Sequence, residues 1–112
     1  MCIEIDSNLR FEWDPAKDIS NQKKHGISFK DAATIFLDEE GLLIPDPDHS
    51  AYEERFIMIG IGRKAELLTV VHALREEGTV IRIISARRST RNESRQYYER
   101  RNRRNERRIR FQ

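Results

Sequence analysis

The sequence predicts an α+β fold in which two N-terminal helices pack on an antiparallel β-meander and a C-terminal helix follows. Three features predict it. Residues 67–71 form a continuous, largely β-branched apolar run, and residues 80–86 repeat this composition after a Glu-Glu-Gly turn. Residues 29–37 carry apolar side chains at helical spacing. Finally, an N-cap candidate at Ser89 or Thr90 precedes an arginine-rich segment.

Length and composition favour one domain without a cofactor. At 112 residues, the chain is expected to form a single domain over residues 1–99, followed by an arginine-rich tail over residues 100–112. No apolar run approaches a membrane span and the first residues do not resemble a signal peptide, so a cytoplasmic location is expected. Cys2 is the single cysteine, and no paired cysteine or histidine spacing suits zinc. We therefore expect no metal and no cofactor.

Charge is distributed unevenly along the chain. Residues 1–60 hold 6 Lys and Arg against 13 Asp and Glu, whereas residues 61–112 hold 15 against 6, within a formal net charge of only +2. The basic C-terminal half indicates a nucleic-acid partner. The acidic half argues against uniform coating of a phosphate backbone and leaves room for a basic protein partner.

Capping residues predict the first helix. Residues 1–10 fit either a short strand or a disordered arm. Asp14 is an N-cap before Pro15 at the first helical position, and Gly26 suits the left-handed C-cap after a basic last turn. His25 lies in that last turn and is interpreted as a partner of the helix dipole rather than as a catalytic group.

A second helix is predicted directly afterwards. Ser28 and Asp31 form a capping-box pattern. The apolar side chains that follow have the spacing of one buried helical face, so we assign them to the core. They are Phe29, Ala32, Ala33, Phe36 and Leu37. Residues 42–44 then form a candidate edge strand.

A loop separates this strand from the meander. Residues 45–52 contain Asp46, Asp48 and His49, a composition that metal sites and turns share, and we favour turn chemistry because Asp side chains cap nearby backbone. Residues 56–61 form a strand with glycine at its end. With the two strands of the hairpin, this strand makes an antiparallel meander.

The hairpin turn sets a register that has a chemical consequence. If residues 75–79 close the loop, Leu74 lies opposite Val80, and His72 lies opposite Arg82 on the same sheet face. An imidazole beside a guanidinium would hold a phosphate and move a proton. The alternative is an ordinary half-buried His72 with Arg82 paired to a carboxylate, because a slip of one residue places the two on opposite faces.

The C-terminal segment has two interpretations. A third helix should start near Thr90, with Glu93 in its first turn. If the helix continues past Arg100, all seven arginines up to Arg110 fall on one half of its cylinder. The interpretation that we favour for the isolated protein is a frayed, solvated tail that would order on RNA, DNA or an acidic partner.

Several segments together resemble the BrnT family of toxins. They are Phe-Glu-Trp-Asp at Phe11, Lys-His-Gly-Ile-Ser-Phe at Lys24, Asp-His-Ser at Asp48, Glu-Glu-Arg at Glu53 and Arg-Ile-Ile-Ser-Ala-Arg-Arg at Arg82. The resemblance covers residues 11–99, and the segments occur in family order and spacing. The arginine-rich end goes beyond the usual family domain, so no role is carried over to it.

This resemblance implies a RelE-like fold and a toxin of a type II toxin–antitoxin module. Such a toxin is a ribonuclease that blocks translation by cutting RNA, and a BrnA-type antitoxin with a ribbon-helix-helix DNA-binding half neutralises it. The complex would repress its own operon, so operator DNA would be reached only through the antitoxin, and no membrane is involved. The alternative function is a non-catalytic module that binds nucleic acid or the antitoxin.

The implied reaction suggests a role for particular side chains. Metal-independent cleavage uses the 2′-OH of RNA as the nucleophile, so the enzyme must move protons and stabilise a phosphorane-like anion. We predict His72 for proton transfer, with Glu54 as the second candidate, although Glu54 has the alternative of a simple ion pair with Arg55. Arg82 completes the predicted catalytic set by gripping the phosphate. Predicted to bind RNA or its phosphates are Arg63, Arg87, Arg88 and Tyr97, the last by stacking or hydrogen bonding.

Overall fold

The computed structural model describes residues 2–6, 9–48 and 53–110. In chain order, its elements are β1 (Cys2–Asp6), β2 (Leu9–Glu12), α1 (Pro15–His25), α2 (Phe29–Ala33), a 3-10 helix (Thr34–Leu37), β3 (Leu42–Pro45), β4 (Arg55–Ile61), β5 (Leu67–Arg75), β6 (Val80–Arg88) and α3 (Arg91–Arg110). The predicted α+β class is confirmed. Within the described ranges, no helix combines the length and the apolar character that crossing a membrane requires.

The strands form one mixed sheet in the order β1-β2-β6-β5-β4-β3. The last four strands are the predicted antiparallel meander, since each pairs with its neighbour in sequence. β2 instead pairs with β6 in parallel, an arrangement that the sequence analysis did not predict. The segment that fitted either a strand or an arm contains a strand, β1, which is antiparallel to β2.

The hairpin between β5 and β6 differs from the predicted register by one residue. Arg75 pairs with Val80, so the loop has one residue fewer than predicted. Its first three residues, Glu76–Gly78, all have positive φ angles, and this left-handed run reverses the chain within a short loop. Further along β6, Ile84 is an extra residue in the ladder and shifts the pairing again.

The predicted adjacency of His72 and Arg82 is therefore wrong. His72 pairs with Ile83, and Arg82 pairs with Ala73. Because paired residues share a sheet face and successive residues alternate, His72 and Arg82 lie on opposite faces. The geometry of the turn decides the register. It requires positive φ angles at Glu76 and Glu77, which glutamate rarely adopts.

α1 begins and ends where its capping residues predict. The Asp14 side chain accepts a hydrogen bond from Ala16 N at 2.8 Å, and Pro15 follows the cap. At the other end, Gly26 has a φ of 71° and donates its N–H to Gln22 O at 2.8 Å.

One buried amide fixes α1 on the sheet. The Asn21 side chain is 7% exposed, and its Nδ2 donates to Ile27 O at 2.9 Å and to Ala86 O at 2.8 Å. Its Oδ1 accepts from Ala86 N at 3.1 Å. Since a buried amide is costly without partners, these bonds tie α1 to β6. No sequence pattern singled out Asn21.

The second helix changes type where a threonine competes for its backbone. The α-helical part ends at Ala33, and the chain continues as the 3-10 helix. Thr34 Oγ1 donates to Asp31 O at 2.6 Å, the back-bonding that bends helices. Ser28 caps the start, as predicted, and accepts from Asp31 N at 3.1 Å.

This change of helix type alters which side chains are buried. A 3-10 helix turns every three residues, so the last position of the predicted apolar stripe rotates away from the core. Leu37 is 50% exposed, whereas Ile35 is fully buried in its place. Assigning Leu37 to the core is therefore wrong. The assignment is right for Phe29, Ala32 and Ala33, which are buried.

α1 and α2 cover one face of the sheet and enclose the main core. Its large members are Phe11, Trp13, Phe29, Ile35 and Ile83. The rings of Trp13 and Phe29 meet edge to face, with centroids 6.3 Å apart.

The loop after β3 shows the expected turn chemistry in its described part. The Asp46 side chain accepts a hydrogen bond from Asp48 N at 3.0 Å. Residues 49–52 lie outside the described ranges, so the choice between a turn and a metal site at His49 stays a prediction.

α3 is helical from Arg91 to Arg110, so the favoured interpretation of a frayed tail beyond Arg100 is wrong for residues 100–110 and the helical interpretation is right. Its start is a capping box, since Glu93 N donates to Thr90 Oγ1 at 3.2 Å and Thr90 N donates to Glu93 Oε1 at 2.8 Å. The helix passes Arg100 without interruption. Residues 111 and 112 lie outside the described ranges.

Candidate functional site

The turn between β4 and β5 presents two cations, Arg63 and Lys64. Gly62 N donates to Glu66 O at 3.1 Å and closes this turn. The turn lies directly against the 3-10 helix, because Arg63 N donates to Thr34 Oγ1 at 3.0 Å. Glycine suits this approach, since a Cβ at Gly62 would lie 3.0 Å from that hydroxyl and the two segments would have to move slightly apart.

Both cations of the turn contact the carboxylate of Asp31. Arg63 Nε lies 2.6 Å from Asp31 Oδ1, and Lys64 Nζ lies 3.0 Å from Oδ2. Partial burial raises the pKa of Asp31, but the hydrogen bonds from Lys64 and Arg63 outweigh it and hold the pKa below its usual value. Asp31 thus faces the two positive charges of the turn, while the turn's own carboxylate, Glu66, pairs with Arg88.

A small cleft of about 50 Å³ adjoins this turn and is also lined by Arg88 at the end of β6. Arg88 Nη1 donates to His25 O at 3.1 Å, and its Nε lies 3.2 Å from a carboxylate oxygen of Glu66. The Arg88 side chain is still 60% exposed. His25 therefore contributes its backbone carbonyl to the site, and this agrees with its interpretation as a structural helix-end residue.

A larger groove of about 430 Å³ lies on the other side of Arg63, between the 3-10 helix and α3. Tyr97 and Arg101 of α3 line it, together with Leu37 of the 3-10 helix. A volume of this order accommodates a group the size of a nucleotide. Because Arg63 lines both the small cleft and this groove, the two are adjacent on one surface.

Tyr97 links α3 to the rest of the groove. Its hydroxyl donates to Asp38 Oδ2 at 2.6 Å, and the same carboxylate accepts from the N–H groups of Ile61 and Glu40 at 2.9 Å each. Burial raises the pKa of Tyr97, and the hydrogen bond to ionised Asp38 raises it further. Tyr97 therefore stays protonated. It is 1% exposed, so it forms the floor of the groove rather than an exposed stacking platform.

Arg87, predicted to bind phosphate, is already paired within the protein. Its guanidinium holds the Glu93 carboxylate at two points, and Thr69 Oγ1 donates to the same carboxylate at 3.0 Å. Arg87 faces away from Arg88, because successive strand residues point to opposite faces. The predicted cluster of Arg87 and Arg88 is thus divided between two faces.

His72, predicted to transfer protons, lies in an apolar environment. It is 2% exposed, and its ring lies 4.8 Å from the Phe36 ring and 6.1 Å from the Phe56 ring, centroid to centroid. Burial lowers the pKa of His72, and a contact of Nδ1 with Val70 O at 3.4 Å opposes this only in part. The imidazole is neutral and has no open surface above it, so the geometry gives no support to its catalytic assignment.

Arg82 and Glu54 are the other two predicted catalytic residues. Arg82 Nη1 lies 3.4 Å from Glu12 Oε1, the carboxylate pairing that the alternative interpretation specified. Arg82 is six residues before Arg88 on the same strand, so about 20 Å separates its Cα atom from that of Arg88, which lines the small cleft. Glu54 is exposed, and Arg55 pairs with Glu53 at 3.2 Å. The structure therefore does not gather the predicted catalytic set in one place.

Of the seven predicted site residues, the structure places three along the connected clefts. They are Arg63, Arg88 and Tyr97. Sequence reasoning missed Lys64, Glu66, Asp31 and Arg101, which line the same surface. Lys64 and Glu66 had a usable signal, because they follow Arg63 in a turn that begins after a glycine. Sequence reasoning had no basis for assigning Asp31 to a site, because its place in the capping box at the start of the second helix already accounted for it.

The fold and the site together define a small α+β protein with two adjacent clefts whose lining combines four cations with four carboxylates. Comparison with known proteins makes this class specific. A family model described as "Ribonuclease toxin, BrnT, of type II toxin-antitoxin system" matches residues 13–93. The chain therefore belongs to the BrnT family of ribonuclease toxins of type II toxin–antitoxin systems, in agreement with the resemblance noted from its motifs.

Among solved structures, the chain is similar to the 1.1 Å crystal structure of the Brucella abortus ribonuclease toxin BrnT. The TM-score is 0.56 at 20% sequence identity, and the alignment covers 72% of this chain and 96% of the Brucella chain. At this identity the likeness concerns the fold. A search of curated proteins found no match.

Proposed function

We propose that this protein is an endoribonuclease that cuts RNA without a metal ion, at the surface formed by the two clefts around Arg63. The observation that carries the proposal is the position of Arg63, which lines both clefts and has a side chain 55% exposed. Lys64, Arg88 and Arg101 add three more cations around it. Four carboxylates line the same clefts, so in this proposal the phosphate takes the place of Asp31 and Glu66 as the partner of these cations, which then supply the charge that a bound metal would otherwise supply.

In this proposal, the scissile phosphate lies at Arg63 and Lys64, and a neighbouring nucleotide occupies the larger groove. The 2′-oxygen attacks phosphorus as the bond from phosphorus to the 5′-oxygen breaks, giving a 2′,3′-cyclic phosphate and a 5′-hydroxyl. Guanidinium groups stabilise the phosphorane-like anion because they stay charged and bind phosphate oxygens in pairs.

Two side chains of the small cleft account for the protons. Glu66 is a carboxylate of this cleft with a side chain 39% exposed, and we assign it the proton of the 2′-hydroxyl. Asp31 is not assigned this role, because Lys64 and Arg63 both bind its carboxylate and hold its pKa below its usual value against the effect of partial burial. Lys64 Nζ then donates the proton that the 5′-oxygen requires, and solvent restores both groups.

The wider role in this proposal is that of a RelE-like toxin that inhibits translation by degrading RNA. A BrnA-type antitoxin with a ribbon-helix-helix half neutralises it, and operator DNA is bound only through that antitoxin. The sheet edges and the uneven charge along the chain support a protein partner, since the acidic N-terminal half is not required for RNA. RNA binds on the basic C-terminal surface.

The test is cleavage of a labelled single-stranded RNA by the purified protein in excess EDTA. We expect cut products with 2′,3′-cyclic phosphate ends, and we expect no cutting of the same oligonucleotide made with 2′-deoxyribose. A strict requirement for added divalent metal would overturn metal independence. Binding without cleavage under every condition would favour the non-catalytic module.

A further inference from the structure

The C-terminal part of α3 lies beyond the segment that the family model matches. The family model ends at residue 93, whereas α3 continues to Arg110. Four guanidiniums of this extension line one open surface of about 410 Å³. They belong to Arg100, Arg103, Arg104 and Arg107, and we call them the arginine face.

Two members of the arginine face anchor the helix to the domain. Arg100 Nη1 donates to Gly41 O at 2.9 Å and to Glu40 O at 3.2 Å. Arg104 Nη1 donates to Glu39 O at 2.9 Å and lies 3.2 Å from a carboxylate oxygen of Glu40. These contacts fix the direction of α3 where it leaves the sheet, so the arginine face has a defined position next to the larger groove.

The other two members, Arg103 and Arg107, are exposed. Neither has a hydrogen bond or ion pair with any other residue that the structure describes. They lie one turn apart on the helix, about 6 Å along its axis. Exposed positive charge without an ion-pair partner attracts an anion.

The composition of this surface favours a phosphate backbone over a protein. Residues 100–107 contain arginine, asparagine and one glutamate but no apolar side chain. The centre of a protein interface is poor in charge and relies on apolar or aromatic anchors, which this surface lacks. A phosphate backbone requires only fixed cations at suitable spacing.

We propose that the arginine face is a second RNA-binding site, which holds the backbone of the single-stranded substrate some nucleotides away from the cleavage site. This proposal rests on the proposed function only for the choice of RNA as the polyanion. Arg101 lines the larger groove, and Arg100 and Arg104 contact the 39–41 segment beside it, so one strand passes from the groove onto the arginine face. The site raises affinity without taking part in the chemistry.

The test compares two double variants of the full chain with equal changes in charge. Arg103→Gln with Arg107→Gln removes the two unpaired members of the arginine face. The matched control, Arg91→Gln with Arg95→Gln, changes exposed arginines on the same helix but on its opposite side, at about 100° per residue. Glutamine and arginine have similar helix propensities, so both variants should fold.

The measurement is fluorescence anisotropy with a 2′-O-methyl RNA oligonucleotide, which binds but cannot be cut. Each phosphate contact on a single strand contributes about 0.7 to the slope of log affinity against log salt, so the arginine-face variant should lose about 1.4 from that slope. Its affinity should fall on the order of 10-fold at 0.1 M salt. The control variant should keep the slope of the unmodified protein.

Equal losses in both variants, or no loss in either, would overturn the proposal. An unchanged slope for RNA together with weaker binding to poly-L-glutamate would overturn it in favour of an acidic protein partner. The result is independent of catalysis. If the arginine-face variant has a smaller salt slope but the unmodified protein never cuts RNA, the proposed function is wrong and this inference stands. If the unmodified protein cuts RNA but the salt slope of the variant is unchanged, this inference is wrong and the proposed function stands.

Discussion

Arg87 and Glu93 form a two-point ion pair, in which Nη1 and Nη2 of the arginine lie 2.7 Å and 3.0 Å from Oε1 and Oε2 of the glutamate. This pair joins the end of β6 to the first turn of α3. Together with the hydrogen bond from Tyr97 to Asp38 and the contacts of Arg100 and Arg104, it attaches a helix with few apolar side chains to the domain. It also removes Arg87 from the set of cations available to RNA.

Glu93→Gln should therefore destabilise the fold by about 2 kcal/mol, the usual contribution of a hydrogen-bonded charge. The hydrogen bonds from Arg87, acting against partial burial, lower the pKa of Glu93 to about 2. A lowered pKa contributes stability that is present above about pH 4.5, the usual pKa, and is lost as the pH falls towards 2. Urea unfolding between pH 7 and pH 3 measures this loss.

Glu99→Gln is the matched control, because Glu99 is an exposed glutamate on the same helix. It should keep both the stability and the acid dependence of the unmodified protein. An equal effect in the two variants would show that general charge, and not this ion pair, fixes α3.

His72→Leu should leave RNA cleavage within about 3-fold of the unmodified protein, since the imidazole is sealed between Phe36 and Phe56. Cleavage assays on the folded variant measure this. A loss of 100-fold or more with a native circular dichroism spectrum would restore His72 to the catalytic site.

The same variant carries a pH prediction. Burial lowers the pKa of His72 below 6.5, so the unfolded chain binds a proton more readily than the folded one. Stability should fall as the pH drops below about 6.5, and His72→Leu should remove this part of the pH dependence. Parallel pH dependences of unfolding in the two proteins would contradict the neutral, buried state of His72.

Arg63→Gln should reduce kcat/KM for RNA about 100-fold, because it removes the guanidinium that lines both clefts. Arg75→Gln is the control, since this arginine is 50% exposed and pairs with carboxylates at the far end of β5. Stability should change by less than about 1 kcal/mol in either variant, as is usual for exposed ion pairs. If the Arg63→Gln variant cleaves RNA as well as the unmodified protein, the proposed position of the phosphate is wrong.

Tyr97→Phe should cost about 1 to 2 kcal/mol of stability, because Asp38 loses the hydroxyl donor 2.6 Å away. Chemical unfolding at pH 7 measures it. Burial and Asp38 raise the pKa of Tyr97, so its stabilising effect should disappear as the pH rises above about 10, where the unfolded tyrosine ionises. Tyr98→Phe, at a side chain 42% exposed, should change little.

The sequence determined most of the elements of this protein, because their signals are local. Asp14 and Gly26 bound α1 through backbone hydrogen bonds that span at most four residues. The meander likewise follows from runs of β-branched residues and short turns. Arg63 was predicted as a phosphate ligand from the chemistry of its guanidinium in the reaction that the family resemblance implies, and it lines the candidate site.

Tertiary structure alone decided which of the predicted residues lie together. A hairpin loop shorter by one residue placed His72 on the opposite face from Arg82, and a threonine hydroxyl turned an α-helix into a 3-10 helix and exposed Leu37. These outcomes depend on competition between turn geometry, burial and side-chain hydrogen bonds, each worth about 1 kcal/mol. Local composition does not predict free-energy differences that small. The site could therefore be located only from the packing of the strands and helices.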